Sequence, residues 1–241
     1  MNERYDRQIL VDQIGSEGQR KLEQSSVIVV GAGGLGSPVL TYLTAAGVGR
    51  LGLIDMDTVA PSDLNRQFLY EEHDVSRPKA ISAKEKLTAQ NSTITICAYA
   101  ERLTAQNANT LLTSYDIVLG AVDSFETRFL INTACTSLDI PYIDGGVNGF
   151  SGTVLYSHPP ELPCLNCVFP TASMKKKPTG VLGTTAGAIG VAMANLALLE
   201  LLGLPHPLKG KLFLYDGLRM RTELIDIQKN ETCPICGTHG S

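Results

Sequence analysis

A short, mostly β-branched run, Ser26-Val27-Ile28-Val29-Val30, leads without a break into Gly31-Ala32-Gly33-Gly34-Leu35-Gly36, and a helical pattern follows to about Ala46. A strand that turns into a helix through glycines is the opening unit of a parallel α/β sheet. The glycines let backbone amides approach a phosphate, and the helix N-terminus adds a favourable dipole. A second strand, Leu51-Gly52-Leu53-Ile54, ends at Asp55, 24 residues beyond Gly31, where a carboxylate can accept from ribose hydroxyls. Alone, this constellation says nucleotide and not which one. A nicotinamide-dependent dehydrogenase explains it equally well, and a tight strand–helix turn without a ligand is the plainest alternative.

Further strand-like runs cover 94–99, 116–122 and 141–144, with helical stretches over 79–90, 105–113 and 126–139. Strands alternating with helices indicate a Rossmann-like, mainly parallel sheet covered on both faces. After Gly145 the pattern changes. Val147–Ser157 and Lys211–Asp226 read as strands with no crossover helix between them, so an antiparallel extension is expected. The 241 residues, 44% of them hydrophobic, are enough for one domain with a nucleotide-binding half, 1–145, and an extension, 146–241. Thr171–Thr179, with three consecutive lysines at 175–177, reads as an exposed loop. Val181–Leu199 contains no charged residue, close to the roughly 20 apolar residues that cross a bilayer. Its three glycines, five alanines, Thr184, Thr185 and Asn195 instead favour a buried helix, around 185–199, in a core or subunit interface.

Two cysteine pairs, Cys164-x-x-Cys167 and Cys233-x-x-Cys236, can supply the four sulfurs of a closed tetrahedral zinc site. A closed site leaves no position for substrate, so the zinc is expected to be structural. Disulfides or redox-active pairs are the alternatives. The polar start, Met1 to Arg7, has no apolar signal-peptide core, which favours reduced thiolates in the cytoplasm. The net charge of −4 argues against non-specific nucleic-acid binding.

Four more positions carry chemistry. Arg66 lies in the long connection after the second strand, Lys79 opens the next helix, and Asp123, with Ser124 beside it, falls just beyond the fourth strand. Strand ends of this kind converge on the ligand crevice of an open α/β sheet. Arg7 is a further candidate cation whose position spacing does not fix. The plainer readings are solvated surface charges for Arg66 and Lys79, a helix N-cap for Asp123 and a salt-bridge partner for Arg7.

Taken together, Arg4-Tyr5-Asp6-Arg7-Gln8, the glycine loop, Asp55-Met56-Asp57, Asn65-Arg66-Gln67, Arg77-Pro78-Lys79, Val122-Asp123 and both cysteine pairs closely resemble the ThiF/MoeB/HesA family, bacterial relatives of ubiquitin-activating enzymes. The resemblance spans essentially the whole chain. It implies an adenylyltransferase that uses ATP and magnesium to activate the C-terminal glycine of a small ubiquitin-like sulfur-carrier protein ending in Gly-Gly. The nucleotide would be held by Gly31, Gly33, Gly34 and Gly36, by Asp55 on the ribose with Asp57 near it, and by Ser62, Asp63, Leu64, Asn65 and Gln67. Arg66 and Lys79 would bind phosphates, Asp123 would hold magnesium with Ser124 beside it in the nucleotide site, and Arg7 would reach across from the other subunit of a homodimer. A carboxylate nucleophile is already ionised near pH 7, so no general base is needed, and none of His73, His158, His206 and His239 is given a role.

The chain departs from that family in one informative place. Many relatives carry another cysteine in the loop after the first pair, near the position of Lys176, whereas here no cysteine lies between Cys167 and Cys233. Cys97 and Cys135 read as buried small hydrophobes. The expectation is therefore adenylation without a covalent thioester, with a separate sulfur donor, since the chain stops five residues after Cys236 with no fused rhodanese domain. Asp63 and Ser124 stand where relatives often have Asn. Rival readings are carboxyl activation on a modified tRNA nucleoside, an NAD-dependent dehydrogenase and a non-enzymatic scaffold. No membrane association is expected, and specificity among molybdopterin, thiazole or other sulfur pathways is not encoded in spacing.

Overall fold

The computed structural model describes residues 3–170 and 180–237. The Thr171–Thr179 loop with its three lysines lies outside the described residues. Among the described residues, eight strands form one sheet: β1 (Ser26–Val30), β2 (Arg50–Ile54), β3 (Thr95–Tyr99), β4 (Ile117–Gly120), β5 (Tyr142–Asn148), β6 (Ser151–Ser157), β7 (Lys211–Asp216) and β8 (Arg221–Asp226). Their order is β3-β2-β1-β4-β5-β6-β7-β8. The first five pair in parallel and the last three are antiparallel additions. The expected mixed sheet is present, with two corrections of detail. Val147–Ser157 is not one strand but the end of β5 and the whole of β6, joined by a two-residue turn in which Gly149 takes φ 59°. Lys211–Asp226 is likewise a hairpin, β7 and β8.

The helices are α1 (Asp6–Ile9), α2 (Gly15–Gln24), α3 (Gly36–Ala46), α4 (Lys79–Gln90), α5 (Ala108–Leu112), α6 (Phe125–Leu138), α7 (Leu165–Val168) and α8 (Gly183–Leu202). Alternation decides which face each packs on. Val27, Val29, Leu51, Leu53, Ile117, Leu119 and Ile143 point to the side of α3, α4 and α8. Ile28, Val30, Ile54, Val118 and Tyr142 point to the side of α5 and α6. Strands buried on both sides explain why their sequences are continuous apolar runs.

α8 is long and apolar enough to span a membrane, and half of its most apolar window is buried inside the protein. Small residues seat it there. A Cβ on Gly145 would overlap the Met193 sulfur, one on Gly152 would overlap Ile189, and one on Gly190 would lie 2.6 Å from the Leu35 carbonyl oxygen. The glycines let this helix, uncharged up to Glu200, approach the sheet and α3 at backbone distance.

Candidate active site

Strand order reverses between β1 and β4, so the loops leaving their C-terminal ends splay apart and open a crevice. The glycine loop follows β1, and Ala121-Val122-Asp123 follows β4. The two loops touch. Gly31 has φ 96°, and a Cβ on it would lie 2.5 Å from the Ala121 carbonyl oxygen. A Cβ on Gly36 would collide with the Gly31 carbonyl, so both positions need glycine for reasons of contact.

Ala32 is fixed from both sides. Its N–H donates to Asp55 Oδ2 at 2.8 Å, and its carbonyl accepts from the Tyr70 hydroxyl at 2.9 Å. Asp55 Oδ1 accepts from the Asp57 N–H at 2.9 Å. Burial raises the Asp55 pKa above the ordinary carboxylate value, a push that the Ala32 and Asp57 amides and Lys79 only partly offset. Asp55 thus clamps the loop while each oxygen keeps an acceptor site for a ligand hydroxyl.

The connection between β2 and α4 folds over this loop. Pro61–Asp63 makes one 3-10 turn, and the Asp63 carboxylate, 7% exposed, sits at its centre. Asp63 Oδ2 lies 3.2 Å from Lys79 Nζ and accepts from the Ala60 N–H at 3.0 Å. Asp63 Oδ1 accepts from Gln67 Nε2 at 2.9 Å and lies 3.4 Å from Arg66 Nη2. Arg66 also donates to the Ser62 carbonyl at 2.7 Å and to Asn65 Oδ1 at 3.0 Å. Lys79 is 6% exposed and lies 3.9 Å from Asp57. Both expected phosphate cations therefore meet on one buried carboxylate. Arg66 and Gln67 also sit against the glycine loop, since Cβ atoms on Gly34 and Gly33 would lie 3.4 Å from Arg66 Cγ and 3.6 Å from Gln67 Nε2. The surface-charge alternative for Arg66 and Lys79 fails on this geometry. Gln67 Oε1 is buried without a protein partner; its Nε2 is committed to Asp63, so the orphan is an acceptor beside the loop. A polar group left open there suits a site that takes a polar ligand.

Asp123 is exposed just past β4, and the N-cap of α6 is Ser124, whose Oγ accepts from the Thr127 N–H at 3.3 Å. The helix-cap alternative for Asp123 therefore belongs to its neighbour. Arg7 lies elsewhere. Tyr5 packs against Gly47 and accepts from Asn91, and Gln8 donates to the Ala46 carbonyl, which puts α1 beside the C-terminal ends of α3 and α4. Within one chain Arg7 is at the opposite end of the sheet from Arg66 and Lys79.

The four cysteines of the two pairs come together, with all their sulfurs within 4.8 Å of one another. The measured Sγ–Sγ separations are 3.4, 3.6 and 3.9 Å. Disulfide sulfurs would be bonded at about 2.05 Å. Four ligands at about 2.3 Å around a tetrahedral zinc lie about 3.8 Å apart, so the cluster fits that ion. Burial pushes the Cys164 thiol up to about 11, whereas the amides of Cys236 and Ile235 outweigh burial at Cys233 and bring it down to about 7. Asn132 on α6 secures the cluster, accepting from the Leu165 N–H at 2.9 Å.

Three features escape sequence reasoning. Tyr70 has only its place after Gln67 to signal it. A buried pair, Arg128 and Asp144, links α6 to β5: Arg128 Nε donates to Asp144 Oδ1 at 2.8 Å, its Nη2 contacts Oδ2, and the Tyr142 hydroxyl adds a third bond at 2.7 Å. The Arg128 guanidinium lies 4.3 Å from the Phe125 ring and 5.6 Å from Phe169, which follows the first cysteine pair. Finally, Cys97 is only half-buried, which corrects its reading as a core hydrophobe; Cys135 is 1% exposed, as expected.

The chain is 44% identical over 245 residues to a sulfur carrier protein adenylyltransferase of Thermus thermophilus, covering 98% of this chain and 90% of that one. It is 37% identical to the sulfur carrier protein ThiS adenylyltransferase of Escherichia coli, covering 97% and 94%. The fold matches a crystal structure of E. coli MccB with MccA-N7isoASN at a TM-score of 0.88 and 22% identity, covering 98% of this chain and 74% of that one. Residues 5–235 fit the ThiF family model, and with the glycine loop, paired cations and cysteine cluster in place, the chain belongs to the ThiF family.

Proposed function

We propose that this chain activates the C-terminal glycine of a small ubiquitin-like sulfur-carrier protein by ATP-dependent adenylation. The carrier's carboxylate oxygen attacks the α-phosphorus of ATP. The bond from that phosphorus to the bridging oxygen breaks, leaving an acyl-adenylate and pyrophosphate. The barrier includes repulsion between an anionic nucleophile and a polyanion, so positioned positive charge is the main catalytic requirement. The observation that carries the reading is the convergence of Arg66 and Lys79 on Asp63, with Arg66 against the glycine loop, in a chain 44% identical to an enzyme named for that activity.

In this reading the loop amides of Gly31 to Gly36 and the α3 N-terminus receive phosphate, and Asp55 receives the ribose with its remaining acceptor sites. Ser62 to Gln67 lines the nucleotide, Arg66 and Lys79 neutralise the phosphates, and Asp123 would hold magnesium, which would supply further positive charge against the phosphates. Arg7 of a second copy completes the charge set. Homodimerisation is supported by the distance of Arg7 from the site in its own chain and by the exposed apolar positions Tyr42 and Val191 on α3 and α8. The chain acts as a single unit, because β5 carries the sheet from the nucleotide half straight into the extension, and it works in the cytoplasm. Cys164, Cys167, Cys233 and Cys236 hold a structural zinc that ties the C-terminal segment to α7.

No cysteine lies between Cys167 and Cys233, Cys135 is buried in the core and Cys97 is half-buried within β3, so a separate sulfur donor attacks the acyl-adenylate and releases AMP, without a thioester on this enzyme. Pyrophosphate exchange into ATP, measured against a panel of small proteins ending in Gly-Gly, tests the reading. Exchange dependent on one of them supports it; nicotinamide binding without ATP binding, or salt-sensitive tRNA binding with RNA-dependent turnover, would replace it.

A further inference from the structure

The donors around Asp63 demand a carboxylate. Oδ2 faces Lys79 Nζ and the Ala60 N–H, while Oδ1 faces Gln67 Nε2 and Arg66 Nη2. All four partners are donors, and an amide side chain would turn its NH2 against two of them. A carboxylate buried to 7% exposure is costly to hold unless it is paired and hydrogen-bonded, and here every direction is filled. The charge sum is also informative. Asp57 and Asp63 carry as many charges as Arg66 and Lys79, and Asp55 adds a third carboxylate nearby, so the two cations are already matched by negative charge before a nucleotide arrives.

We infer that Asp63 is a positioning residue for the reaction, acting through Lys79 and Arg66 and not through the ribose or the metal. It holds both cations beside the glycine loop in one arrangement while the site is empty. When a triphosphate enters, Asp63 repels it, so the same charge that orders the cations weakens ground-state nucleotide binding. That repulsion acts on the ground state and the transition state alike and so changes KM, whereas the ordering of the two cations is what the reacting arrangement uses. This inference rests on the adenylation reading for its kinetic part and stands alone for its structural part.

The test compares wild type with Asp63→Asn and, as a second neutral variant whose hydroxyl can still accept from Ala60, Asp63→Ser. Both are checked for folding by circular dichroism and for melting temperature. In pyrophosphate exchange, kcat is expected to fall at least about tenfold while the KM for ATP stays level or falls, because ordering is lost together with repulsion. Independently of any carrier protein, acylation of Lys79 by acetic anhydride, mapped by mass spectrometry, is expected to rise several-fold in both variants. A folded neutral variant with wild-type kcat, with KM raised at unchanged kcat, or with unaltered Lys79 labelling overturns the inference. If wild type shows no exchange with any Gly-Gly protein yet Lys79 labelling rises in the variants, the adenylation reading fails and the positioning role survives.

Discussion

Replacing Arg128 by Met removes one half of a buried ion pair and leaves the other half in place. The Arg128 side chain is 8% exposed and that of Asp144 only 1%, so water does not compensate the stranded carboxylate. One hydrogen bond remains to it, from Tyr142. Breaking a buried pair from one side costs about 3–5 kcal/mol. At about 2–4 °C per kcal/mol for a chain of this size, the melting temperature should fall by roughly 6–20 °C. The loss should be relieved in the double variant Arg128→Met with Asp144→Asn, because neutralising both partners removes the stranded charge while Tyr142 keeps an acceptor. Thermal melts and urea titrations of the three proteins measure this directly. A single variant that melts within 2 °C of wild type, at about 1 kcal/mol or less, refutes the reasoning. So does a double variant no more stable than the single one. The pair joins the start of α6, next to Asp123, to β5 and, through Phe169, to the cysteine cluster. The single variant should therefore also lose exchange activity.

Three shorter tests follow from the same geometry. Asp123→Ala should abolish ATP–pyrophosphate exchange with melting temperature and zinc content unchanged, since Asp123 is exposed and Ser124 caps α6; full exchange in that variant would remove it from the mechanism. Tyr70→Phe leaves the Ala32 carbonyl without its hydroxyl donor, which should cost about 1–3 kcal/mol and weaken ATP binding in calorimetry. Burial opposes the charge of Asp74, but Lys86 and the Glu71 amide outweigh it and hold its pKa below 3.8. Its contribution to stability is therefore present above that value and lost as pH falls through the lowered one, so Asp74→Asn should destabilise in urea titrations at pH 7 and match wild type in strong acid.

The parallel half of the fold was legible because its signals are local. A β-branched run, three spaced glycines and a carboxylate at the end of the next strand occupy a stretch whose geometry is set by neighbours in sequence. The cysteine cluster was legible for a different reason: each pair is local, and only one pairing of pairs exists. The turn between β5 and β6 carried a signal, Asn148-Gly149, that the strand-like residues on both sides mask. Contacts between elements were not legible. Asp63 and Lys79 stand 16 residues apart, as do Arg128 and Asp144, and nothing in either stretch marks them as partners. Their pairing follows from how the connection folds over the glycine loop and from which face α6 covers. The position of Arg7 was open for the same reason, since α1 docks through Tyr5 and Gln8 onto helix ends distant in sequence.

The central claim is that scattered charges gather around a triphosphate. A crystal structure with a non-hydrolysable ATP analogue and magnesium tests it most directly. The account predicts the phosphates between the glycine loop, Arg66 and Lys79, magnesium on Asp123, and Arg7 of a second subunit completing the ring. A nucleotide bound elsewhere, or bound there with Arg66 and Lys79 turned away, would contradict it.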